Sequence, residues 1–186
     1  MSQLELHKRV ERLSELYKVD LRRSAARFGL LPVHLEMLHY LSICNQYSDT
    51  PIAVTEYLGQ TKGTVSQSIK VLENKDLLRK VADANDRRLV HLRLTDEGRQ
   101  VLTEALPATW LGSAFENLES AARQQVLAGL DILLMQLVVE GDVPGFGVCR
   151  SCKHHSRGPQ GEPYCQLLAV SLEKNGPDQL CREHRA

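Results

Sequence analysis

A mainly α fold is predicted: a winged helix-turn-helix between long flanking dimerisation helices, followed by a small cysteine-ligated metal module. Three features of the 186-residue sequence predict it. Apolar residues recur every three or four positions over most of residues 1–140, the helical period. Between Leu77 and Leu94 that period becomes strand-like, directly after two short helical segments joined by a turn containing Gly59. Four of the five cysteines, Cys149, Cys152, Cys165 and Cys181, fall in the last 38 residues.

The elements follow in order. From Leu4 to Phe28, the positions Leu6, Val10, Leu13, Tyr17 and Leu21 keep helical spacing, and Gly29 closes the helix. Pro32 opens a second helix with Leu35, Leu38 and Leu41 on one face. After the turn-like NQYSD, Thr50 and Pro51 form an N-cap and first-turn pair for a short helix with Ile52, Val54 and Leu58. Gly59 ends it and Thr61 caps the next, where Val65, Ile69 and Leu72 fall on one buried face. LLRKVA and LVHLRL read as two strands around the polar loop DANDRR. Thr95 starts a further helix; Val101, Leu102, Leu106, Trp110 and Phe115 continue its pattern, with Pro107 expected to kink it. A last helix, about Ala121 to Val139, puts Val126, Leu130, Leu133 and Leu137 on one stripe. The linker EGDVPGFG divides a domain over 1–143, whose winged helix-turn-helix core spans 32–98, from a module over 144–186.

A formal net charge of zero conceals strong patterning. Residues 61–93 carry +4 and residues 94–144 carry −6, so a polyanion-binding surface belongs in 61–93. No run of 18 apolar residues occurs, and the charged N-terminus has no apolar signal-peptide core. The expectation is a cytoplasmic protein with no membrane partner, in which clustered cysteines mean metal or redox chemistry rather than structural disulfides.

The stretch LGQTKGTVSQSIKVLENKDLLRKVADANDRRLVHLRLTDEG, residues 58–98, resembles the MarR family of bacterial transcriptional regulators. It carries that family's run of Thr/Ser-rich recognition helix, Leu-Glu, Leu-Leu, Asp-Arg-Arg and Leu-Thr-x-x-Gly, and the helix order extends the likeness over 1–140. Asp76 and Ala84 depart from it, standing where Gly and Pro are common. Asp tolerates left-handed backbone, so the fold expectation survives.

The residues support duplex-DNA binding in their own right. A recognition helix presents a polar face to a major groove about 12 Å wide. Lys62, Thr64, Ser66, Gln67 and Lys70 supply donors and acceptors there. Arg87 and Arg88 at the loop end can reach a minor groove, while Thr61 and Lys80 suit phosphate contacts. By resemblance, Asp86 braces an arginine of the wing. One winged helix reads one half-site, so a pseudo-palindromic operator and a homodimer are expected, with the terminal helices pairing as the resemblance implies. The regulator is expected to act as a repressor. A small-molecule effector is common in the family; His34, His39 and Tyr40 are candidates to line its pocket, and also ordinary half-buried residues.

The tail lies outside the resemblance. Cys149 and Cys152 form a two-thiolate knuckle, and Cys165 and Cys181 complete a set suited to an iron–sulfur cluster, favoured slightly, or to Zn2+. His155 and His184 are alternative ligands, and His154 adds a further nitrogen. A purely structural zinc with a small-molecule effector, a zinc-stapled protein-interaction module and a thiol redox switch remain open. Cys44 reads as a core residue. No nucleophile elbow, phosphate loop or HExxH is present, and four thiolates would close a zinc to catalysis, so an enzyme is not expected.

Overall fold

Helices α1 (Gln3–Ala26), α2 (Pro32–Ile43), α3 (Pro51–Leu58) and α4 (Lys62–Asn74) lead into an antiparallel pair, β1 (Leu78–Ala82) and β2 (Val90–Leu94). Helices α5 (Asp96–Ala105), α6 (Thr109–Glu116) and α7 (Ser120–Glu140) follow. This computed structural model describes residues 2–84, 86, 88–106, 109–140, 145–173 and 176–185. The order is that of a winged helix with flanking helices.

Local chemistry sets the boundaries. Thr50 Oγ1 accepts from the Ala53 N–H at 3.3 Å, and Thr95 Oγ1 caps α5 by accepting from Gly98 at 3.0 Å. Gly29 and Gly59 leave their helices in left-handed backbone, with φ of 62° and 59°. Around α2 the core closes: Leu35, Met37, Leu38 and Tyr40 are fully buried against α1, α3, α5 and β2. The Tyr40 hydroxyl, too deep to meet water, donates to the Ser48 carbonyl at 2.7 Å. Val65, Ile69 and Leu72 bury the inner face of α4, which fixes its outer face towards solvent. In the wing, Leu78 faces Leu94 and Lys80 faces Leu92, and the Leu92 N–H also bonds the Asp49 carbonyl at 2.7 Å.

Several expectations need correction. The helix after Thr95 is not one kinked rod. It ends at Ala105, Leu106 turns extended at φ −126°, and α6 restarts at Thr109. A residue before proline is pushed out of the helical region, which accounts for the break; Pro107 itself lies outside the described residues. On α3, Val54 is buried and Ile52 is exposed. No residue of α7 is buried, and the expected stripe is joined by exposed Leu127, Ile132, Leu134, Met135 and Val139, so the helix is apolar nearly all round. By length and composition, α7 is long and apolar enough to cross a membrane. On α1, only Asp20, Leu21, Ser24 and Ala25 are buried; Leu4, Leu6, Val10, Leu13 and Leu16 stay exposed.

The tail folds into short strands: β3 (Gly147–Val148), β4 (His155–Arg157), β5 (Pro163–Cys165), β6 (Val170–Ser171) and β7 (Leu180–Cys181). β4, β5 and β6 make one antiparallel sheet, and β3 pairs with β7. The module is docked on the helical body, not held off it. Cys44 bridges to Leu180, the Asn45 N–H bonds the Leu180 carbonyl at 2.9 Å, and Phe146 sits edge-on to Tyr40 and Tyr57. The expected division at 143/144 falls at residues outside those described.

Candidate nucleic-acid interface and thiol cluster

Thr61 begins the polar face of α4. Its Oγ1 accepts from the Thr64 N–H at 3.1 Å and lies 3.0 Å from the Thr64 hydroxyl, so the cap and a candidate contact are one unit. Lys62, Thr64, Ser66, Gln67 and Lys70 are all exposed, on the side opposite Val65, Ile69 and Leu72. Lys62, Ser66 and Lys80 also line a groove of about 340 Å³ between α3, α4 and the wing, floored by Val65 and Ile69. Sequence reasoning missed that groove because it joins three elements. Lys80 is not a free cation: its Nζ pairs with Glu73 at 2.5 Å, so a phosphate must compete for it.

At the wing tip Arg88 is 96% exposed, with its Nε 3.8 Å from Asp86 Oδ1. The same carboxylate oxygen accepts from the Arg88 N–H at 3.0 Å, while the Asp86 N–H donates to Asp83 at 2.8 Å. Arg87, the other candidate for the minor groove, lies outside the described residues.

The base of the wing holds a charge network that no sequence pattern signalled. His91 Nδ1 lies 2.5 Å from Asp49 Oδ1 and its Nε2 lies 3.1 Å from Asp83 Oδ2, while Arg93 Nη1 stands 2.9 Å from Asp49 Oδ2. With a carboxylate at each ring nitrogen, both must donate, which requires the imidazolium. Burial works against that charge, but the bonds to Asp49 and Asp83 outweigh it and the His91 pKa ends raised. Asp49, only 4% exposed, is itself pushed up by burial, against the pull of His91 and Arg93. The site thus holds a charged ring between two carboxylates.

In the tail, Cys149, Cys165 and Cys181 are buried, Cys152 is half-buried, and all five cysteines of the chain are free thiols. Burial first, then the neighbouring thiols Cys181, Cys165 and Cys152, push the Cys149 pKa up to about 11. The four thiols therefore share one neighbourhood, in which thiolate charges would repel one another and a cation would relieve the repulsion. The Cys152 N–H closes the knuckle on the Cys149 carbonyl at 3.0 Å, and the Arg185 N–H points at Cys152 Sγ from 3.4 Å. Two imidazole nitrogens, His155 Nε2 and His184 Nδ1, are buried without a hydrogen-bond partner. His184 lies against Gly147, where a Cβ would meet its ring at 2.5 Å, and its Nε2 is 3.0 Å from Ser151 Oγ. Among the described residues no three His, Cys, Asp or Glu side chains form a ready metal-holding group. Cys44 is buried in the body, as expected for a core residue. His34 and Tyr40 are buried and His39 is exposed.

Comparison with known proteins matches a MarR-family model over residues 28–89, which covers α2 to the wing. That match makes about a third of the chain similar to the MarR family. An uncharacterised HTH-type transcriptional regulator of Bacillus subtilis (strain 168), YwaE, is 43% identical over 54 residues, a stretch covering 29% of this chain and 32% of that relative. Among solved structures, a MarR transcriptional regulator from Methanosarcina mazei Go1 superposes with a TM-score of 0.61 at 18% identity, covering 72% of this chain and 96% of that one. A DNA complex of Staphylococcus aureus MepR superposes at 0.57 and 22% identity, covering 74% and 99%. These likenesses show the MarR fold. The family-model match ends at residue 89 and so does not reach the cysteine tail.

Proposed function

We propose that this chain is a transcriptional regulator that binds duplex DNA as a homodimer, with a metal–sulfur centre in its tail. The observation that carries the DNA reading is the outer face of α4, where Lys62, Thr64, Ser66, Gln67 and Lys70 stand exposed over a fully packed inner face. Lys62 and Lys70 neutralise phosphates, Gln67 and Ser66 read base edges, and Arg88 reaches the adjacent groove. The dimer reading rests on α1, α6 and α7, whose exposed Leu13, Trp110, Leu111, Ile132 and Leu134 form more apolar surface than a lone chain keeps in water. Arg123, Asp131 and Glu140 on α7 favour a partner helix over lipid. A two-fold dimer would read a pseudo-palindromic operator, and repression is the sense of regulation we infer for it.

The thiol set suits an iron–sulfur cluster or Zn2+, held by Cys149, Cys152, Cys165 and Cys181, with His184 or His155 as replacement ligands. An electrophoretic shift on duplex from upstream of the protein's own gene tests the DNA reading. Gln67→Ala combined with Lys62→Ala should weaken the shift at least about tenfold, or 1.4 kcal/mol; unchanged binding would exclude α4 as the reading helix. Anaerobic purification with metal, sulfide and ultraviolet-visible analysis tests the centre. Visible charge-transfer bands with sulfide identify a cluster, a colourless chain with one zinc identifies Zn2+, and a metal-free chain rejects both.

A further inference from the structure

The tail grips the helix-turn-helix at its α3 corner. Arg182 Nε and Nη2 donate to Glu56 Oε2 and Oε1 at 2.5 and 2.8 Å, a two-pronged pair on α3. The Arg182 N–H donates to Ser48 Oγ at 2.9 Å, in the loop before α3. Leu180 pairs with Cys44 and Asn45, and Phe146 packs on Tyr57 of α3 with ring centroids 5.1 Å apart. Two contacts of different chemistry, the ion pair and the ring contact, thus meet on α3, and the others hold the loop that leads into it. That helix packs directly against α4, with Gly59, Gln60 and Thr61 between them. Arg182 is the residue after Cys181, one of the four clustered thiols, so the grip and the cluster share a backbone.

We propose that Arg182 is a strut through which the state of the tail thiol cluster sets the pose of α3, and with it the recognition helix α4. This rests on the reading of the cluster as a metal centre. The two-residue strand β7 has no independent stability, and the small tail core of Cys149, Cys165 and Leu172 is too slight to hold it. A bound metal ion fixes Cys181 against Cys149 and so holds the Arg182 fork in register with Glu56. The metal-free tail loosens, the fork opens and α3 is released. The route runs through the DNA-reading lobe, not through α7.

The test uses the full chain, stripped by chelator and then given one equivalent of Zn2+, with hydrogen exchange read at the Val54–Leu58 amides. Zn2+ should slow these amides at least about tenfold in the wild type. Arg182→Ala should take up the same zinc yet leave them fast in both forms, with α5 unchanged. Exchanging the charges, Arg182→Glu with Glu56→Arg, should restore part of the slowing. Equal slowing in Arg182→Ala overturns the strut, as does zinc uptake by the wild type without any slowing. Failure of the wild type to bind zinc counts against the metal reading instead. The strut is then judged by Arg182→Ala alone, and unchanged α3 exchange overturns it. Affinity for the upstream duplex should fall about tenfold in Arg182→Ala; an unchanged affinity severs the link to DNA.

Discussion

Asp76 holds φ at 53°, a left-handed conformation in which most side chains are strained. Replacing it with glycine should stabilise the chain by up to about 1 kcal/mol, a rise of roughly 2–4 °C in Tm for a chain of this size. The weak exposed pairing of Asp76 with Arg79 at 3.4 Å is too small a loss to reverse the sign. Gly98 is the opposite case, since a Cβ there would run into the Leu77 carbonyl. Gly98→Ala should lower stability by about 2–3 kcal/mol, measured by chemical denaturation, because backbone and not a yielding side chain stands in the way. Both positions were legible in the sequence, Asp76 as a departure from a glycine common in the family it resembles and Gly98 as the end of Leu-Thr-x-x-Gly. The Asp49–His91–Asp83 network was not, because His91 meets Asp49 across 42 residues of chain and no local period marks such a pair. Its consequence is a pH slope. The folded chain holds a proton on His91 that the unfolded chain releases near its ordinary value of about 6.5. The stabilisation is therefore complete below that pH and fades as pH rises through the raised folded value. Thermal melts from pH 6 to 9 should show this decline in the wild type and a flatter profile in His91→Phe. Parallel profiles would remove His91 from the account.

At the scale of elements, caps carried the reading. Thr61 both ends the turn after Gly59 and holds the Thr64 amide, so Thr61→Ala should cost about 1 kcal/mol and fray the end of α4. A shift in denaturation midpoint without a change in slope would confirm a purely local loss. Helices α1 to α5 were legible because Pro, Gly and Thr punctuate them. The break between α5 and α6 was not, because Leu106, Trp110 and Phe115 carry apolar spacing across it. Helix α7 misled in another way. Its period reads as one stripe, yet apolar residues surround it, as expected of a helix covered by more than one neighbour.

For the whole molecule, sedimentation at micromolar concentration should give a species of two chains. Ile132→Glu, at a site exposed in the single chain, should shift it to one chain without unfolding the winged helix. A wild type that sediments as a single chain would contradict the dimer. The exposed polar face of α4 and the wing beside it were legible in the sequence, since charge, period change and motif order all fall within residues 58–98. It located the cysteine cluster but not where that cluster sits, because docking depends on Phe146, Leu180 and Arg182, three unremarkable residues in the tail's own pattern.

That docking also orders events during synthesis. Arg182 and Glu56 are 126 residues apart, so their contact has a long loop to close and forms late. The winged helix leaves the ribosome first and can fold as a unit while the tail is still being made. A nascent chain would thus own the exposed face of α4 before it owns the Arg182–Glu56 contact, and that late clasp marks the point at which the tail has docked.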